Sequence, residues 1–95
     1  MTAKPDSQLV AKAVAAVDRD RLVERVVGFT DIPSPTGSEA DMGRAYHEVL
    51  GGAGLRATLQ SIGDDRYNAL GLLEGAGGGR SLMFNGHLDT SFGNE

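Results

Sequence analysis

Apolar residues recur every three or four positions through the first third of the chain. Leu9, Val10, Ala13, Val14 and Val17 form one such series, and Leu22, Val23, Val26 and Val27 form another. That spacing places each series on one face of a helix. Between them, "DRDR" at 18–21 interrupts the pattern. The segment is therefore either one long helix with a charged waist or two helices, the second capped by Asp18 or Asp20. "GFTDIPSPTG" ends it, because Pro33 and Pro35 each remove a donor and push the preceding residue toward extended geometry. "TGSE", Thr36 to Glu39, has the spacing of a capping box and predicts a further helix. Ala40, Tyr46, Val49 and Leu50 would be its buried stripe, and "GGAG" at 51–54 its stop.

The pattern then changes. "LRATLQSI" (55–62) alternates apolar and polar residues, as a strand with one exposed face does. "GDDR" (63–66) is turn chemistry. "YNALGLLEG" (67–75) reads as a second strand. "SLMFNG" (81–86) is a short apolar run, the pattern of a strand buried on both faces. The expected fold is α/β, with two amino-terminal helices packed on a mixed sheet. Residues 1–95 are expected to form a single domain, with 1–6 as a flexible leader.

Composition narrows the picture. Ninety-five residues make one small domain with a thin core, and the apolar share of 40% with only 5% aromatic residues makes it thinner. The net charge of −4 is spread along the chain, which argues against a nucleic-acid partner. Without cysteine there is neither a disulfide framework nor a thiolate metal site. No apolar run approaches the ~20 residues that span a bilayer. The polar start, "MTAKPDSQ", lacks the apolar stretch of a secretory signal. A cytoplasmic protein that is not embedded in a membrane is expected.

Candidate chemistry concentrates in "SLMFNGHLDT". His87 and Asp89 stand two apart, so on extended backbone both side chains point the same way. Neutral imidazole is the commonest protein metal ligand, and an adjacent carboxylate orients the ring and raises its basicity. The pair follows the carboxyl end of an expected strand, where open α/β sheets place ligand crevices. By itself H-x-D is a frequent pattern, more often that of a histidine merely hydrogen-bonded at a strand end. Thr90 offers a further hydroxyl. His47 reads as a solvated helix position, Asp64 and Asp65 as a turn, and Ser34 as structural. "GGAG" follows a helix instead of a strand, which excludes a dinucleotide fingerprint. "GAGGGRS" lacks the lysine of a phosphate loop.

Taken in order, "LVERVVGFTDIPSPTGSE", "RYNALGLLEG" and "SLMFNGHLDT" resemble the amino-terminal portion of the zinc-dependent amidohydrolases and exopeptidases. That superfamily includes acetylornithine deacetylase, succinyl-diaminopimelate desuccinylase, aminoacylase and glutamate carboxypeptidase. The similarity covers about residues 20–92, with "GHLDT" its most specific element and Asn68 within "RYNALG" a weaker one.

The resemblance implies part of a di-metal aminopeptidase-like catalytic domain, with His87 as ligand to one of two divalent ions. Zinc is the first expectation, with manganese or cobalt as alternatives. Asp89 is implied as the catalytic-site carboxylate that orients this histidine and tunes the metal. The reaction implied is hydrolysis of a C–N bond, in the amide of an N-acyl amino acid or small peptide, by metal-activated water. In relatives the bridging Asp, the Glu-Glu pair supplying the base and a ligand, and the last His follow this motif. Glu39, Glu48 and Glu74 lie too early to replace that base. The chain is therefore expected to act as a small subunit or amino-terminal fragment, inactive alone. A second chain would carry the remaining ligands, and a dimerisation domain with them. Two alternatives stand beside this reading: the same fold and metals deaminating a small aromatic amino acid, and a non-catalytic binding or structural module.

Overall fold

The computed structural model describes residues 6–90, so most of the expected leader lies outside the described residues. Asp6, assigned to that leader, instead caps the first helix: its carboxylate accepts the amides of Gln8 and Leu9. Helix α1 spans Ser7–Ala15 and α2 spans Arg19–Thr30. The charged waist is therefore a break between two helices. Asp18 makes it, with extended backbone (φ −98°, ψ 107°) and a side chain that accepts the Arg21 amide at 3.0 Å.

Helix α3 spans Ala40–Gly52 and begins later than a capping box at Thr36 would set it. The box does not form, because both of its side chains are engaged with other partners. Thr36 donates to Asp89, and Glu39 accepts from Gly37 and Arg66. The glycine stop holds: Gly54 adopts φ +89° directly after the helix.

Strands β1 (Arg56–Gly63) and β2 (Arg66–Leu72) form an antiparallel hairpin. Its register runs from Arg56 opposite Leu72 to Gly63 opposite Arg66, with an irregularity between Ser61 and Gly63. Asp65 takes φ +57° in the connecting turn, a conformation aspartate tolerates better than most residues. Ala57 and Leu59 on β1, with Arg66, Tyr67 and Ala69 on β2, are the half-buried positions of the hairpin.

Helix α3 packs on this hairpin at close range. A Cβ at Gly43 would sit 3.1 Å from the Tyr67 Cβ, and one at Gly71 would meet Leu55 and Leu50 methyls at 3.0–3.2 Å. Ala40 and Met42 are the buried apolar residues. Phe29 and Tyr46 stack with ring centroids 4.1 Å apart, tying α2 to α3.

Three expectations are corrected here. The chain has three helices among the described residues, and α3 is the one packed on the sheet; α1 and α2 bury no residue. Among the described residues the sheet is a two-stranded antiparallel pair instead of a mixed sheet, with a parallel bridge, Pro35 to Thr90, outside it. The run 81–86 is not a strand, and Leu82, Met83 and Phe84 are 80%, 80% and 89% exposed. A strand buried on both faces needs neighbouring strands and a covering layer on each side. A hairpin with one helix provides neither. What holds at the coarse level is a mixed α and β architecture.

Candidate metal-ligand site

The site is assembled from the loop after α2 and the segment 86–90. Pro33 and Pro35 fix that loop, and between them Ser34 is 1% exposed. Its hydroxyl donates to the Leu88 carbonyl at 2.7 Å. Its own carbonyl accepts the Thr90 amide at 2.7 Å and the Thr90 hydroxyl at 3.2 Å. These bonds give Ser34 a structural part, the one read for it from the sequence, and it clamps the backbone that carries the candidate pair.

His87 and Asp89 do meet. The Nδ1 of His87 lies 3.1 Å from Asp89 Oδ1 and 2.9 Å from the Asp89 carbonyl oxygen. Two acceptors on one ring nitrogen place a proton on Nδ1, so the neutral form of this ring is the Nδ1–H tautomer. Nε2 then keeps its lone pair, on a side chain that is 85% exposed. The other carboxylate oxygen, Oδ2, accepts the Thr36 hydroxyl at 2.6 Å. That bond, with the neighbouring His87, holds the Asp89 carboxyl below the usual carboxylate range.

The facing wall of the same cleft includes Glu39, Arg66, Tyr67 and Asn68. Glu39 is buried and paired with Arg66 through two hydrogen bonds, of 2.9 and 3.1 Å. The guanidinium, helped by the Gly37 amide, lowers the Glu39 carboxyl below its ordinary value, and Glu39 in turn raises Arg66. Asn68 donates to Gln60 across the hairpin at 3.1 Å.

Of the residues singled out from sequence, His87, Asp89, Asn68 and Glu39 share this cleft. His47 is half-buried on α3 and is not among the residues lining it, and Asp64 and Asp65 form the hairpin turn. Thr36 and Arg66 are the contributors that sequence reasoning missed. Their partners lie 53 and 27 positions away, and no local pattern encodes such pairings.

A catalytic metal centre takes about three protein ligands and an open position. Among the described residues no group of three or more His, Asp or Glu side chains converges. The donor set fits one ligand with its orienting carboxylate and does not fit a whole centre. No family model matches this chain, and no solved structure matches it.

Proposed function

We propose that this chain contributes one metal ligand, His87, and its orienting carboxylate, Asp89, to a metal-dependent hydrolase of C–N bonds. The substrate class is the amide of an N-acyl amino acid or small peptide. The observation that carries the reading is the carboxylate on Nδ1, which leaves Nε2 as the ligating nitrogen, together with the ordered motifs that resemble the zinc amidohydrolases. Carboxylate–histidine–metal arrays use this division of the ring nitrogens, because the carboxylate satisfies one and strengthens the other as a donor.

In this proposal the chain's own residues hold and orient. Ser34 fixes the backbone at Leu88, and Asp89 fixes the ring and its proton at Nδ1. The bound metal supplies Lewis-acid activation of water toward the amide carbonyl. The remaining ligands and the general base come from polypeptide outside the described residues, in a second chain on the expectation above. The buried, arginine-paired Glu39 is poorly suited to be that base, since its charge is already committed.

The test is hydrolysis of a panel of N-acyl amino acids by the protein isolated together with whatever polypeptide accompanies it. His87→Ala should lower bound zinc and abolish turnover. Unchanged turnover in that variant would contradict the proposal.

A non-catalytic interaction module is the second reading, and one observation favours it. Apolar residues of α1, α2 and the turn between them, among them Val14, Val17 and Leu22, are 67%, 66% and 56% exposed. Patches of that kind mark protein contacts. The two readings separate on whether zinc binds at His87.

A further inference from the structure

We infer that Thr36 is a positioning residue for the proposed metal site: its hydroxyl fixes the Asp89 carboxylate and, through it, the His87 ring. The inference rests on the metal-ligand reading of His87 and extends it to a residue outside the H-x-D pair.

The two carboxylate oxygens have separate duties. Oδ2 accepts from Thr36 Oγ1 at 2.6 Å, within the short range of O–H···O⁻ bonds, while Oδ1 faces His87 Nδ1 at 3.1 Å. The terminal torsion of an aspartate is broad, so the backbone alone does not set where its oxygens point. A hydroxyl anchored on one oxygen does set it.

Thr36 is well placed to be that anchor. Pro35 precedes it and bridges to Thr90, and Gly37 follows it at φ +97° with its amide bound to Glu39. Glu39 is in turn held by Arg66. The threonine side chain is β-branched, which restricts its χ1 and keeps the hydroxyl aimed.

Two plainer roles fit less well. A helix cap is excluded, because α3 starts at Ala40 and has no side-chain cap. A staple between the two segments is already supplied by the Ser34 hydroxyl and the Thr90 amide, both at 2.7 Å. The bond from Thr36 differs from those in ending on the carboxylate that faces the histidine.

The experiment compares wild type, Thr36→Val and Thr36→Ser in ¹⁵N-labelled protein. Thr36→Val keeps the shape and loses the hydroxyl; Thr36→Ser keeps the hydroxyl. Long-range ¹H–¹⁵N spectra, recorded where the imidazole is neutral, show which ring nitrogen of His87 carries the proton. Dispersed amide spectra confirm folding, which the exposed position of Thr36 should preserve. Wild type and Thr36→Ser should hold the Nδ1–H form, and Thr36→Val should shift toward a mixture.

Zinc chloride titrated into the same samples, each reconstituted with the polypeptide isolated together with this chain, should perturb His87. Thr36→Val should need about tenfold more zinc, the lower end of what loss of an outer-shell partner costs, and Thr36→Ser should follow wild type. Wild-type tautomer and zinc response in Thr36→Val would overturn the inference, leaving the Asp89 carbonyl as sufficient support for the ring. Zinc that leaves wild-type His87 unperturbed would instead overturn the metal reading. The tautomer contrast would then still decide what Thr36 does to the ring.

Discussion

The Arg66 guanidinium grips the Glu39 carboxylate with two nitrogens, Nε at 2.9 Å and Nη2 at 3.1 Å, and so joins the hairpin to the start of α3. Glu39 is 4% exposed while Arg66 is partly open to solvent. This asymmetry gives the pair a definite pH response. The folded-state value of Glu39 is lowered, so the unfolded chain binds its proton more readily. The contribution is complete above the ordinary glutamate value, 4.5, and is lost as pH falls through the lower folded value. Thermal melts followed by circular dichroism should show the midpoint falling on acidification. Glu39→Gln should melt lower than wild type at neutral pH, and the difference should narrow in acid.

Gly43 gives a packing prediction. Its missing side chain lets α3 approach Tyr67 closely enough that a Cβ would lie 3.1 Å from the tyrosine Cβ. A larger side chain must push the helix off the hairpin. Gly43→Leu should cost about 1–3 kcal/mol in urea unfolding, the usual range for overpacking. Gly28, with nothing near its Cβ position, should accept alanine without loss.

Ser34 gives a second stability prediction, this one local to the site. Replacing it with alanine leaves the Leu88 carbonyl without the hydroxyl that now reaches it at 2.7 Å. An unsatisfied, part-buried carbonyl costs about 1–3 kcal/mol. Amide exchange should quicken at Thr90, whose N–H bonds to the Ser34 carbonyl. Equal exchange at Thr90 in wild type and Ser34→Ala would show that the hydroxyl does not hold this segment.

Asp89→Asn tests the orienting carboxylate separately from the ligand. The amide can still face His87 Nδ1, but it brings no charge and only one acceptor oxygen. Outer-shell changes of this kind cost about 10–100-fold in metal affinity or activity. Isothermal titration with zinc of the protein isolated together with its accompanying polypeptide should therefore show binding weakened by that factor, with a larger loss in His87→Ala.

How much of this was legible in the sequence depended on how local each cause was. Gly54 ending α3 followed from short-range chemistry and the period-two pattern at Ala57 and Leu59 found β1, whereas "DRDR" left open one helix or two and a cap at Asp18 or Asp20. The pairing of His87 with Asp89 was also local, because two residues apart on extended backbone share a side. Thr36 and Glu39 misled, since their spacing matches a capping box while their side chains bond to Asp89 and Arg66. Leu82 to Phe84 misled for the opposite reason. Their apolar character is that of a buried strand, but burial requires neighbours that the described residues do not provide.

The most direct measurement of the central claim is the position of zinc relative to the His87 ring. Crystals equilibrated with zinc and measured at its absorption edge should show an anomalous peak about 2.0–2.1 Å from Nε2, the usual zinc–nitrogen distance. Asp89 should remain on Nδ1, as it is at 3.1 Å here. A peak on Nδ1 with the carboxylate displaced, or zinc bound elsewhere with His87 bare, would contradict the account.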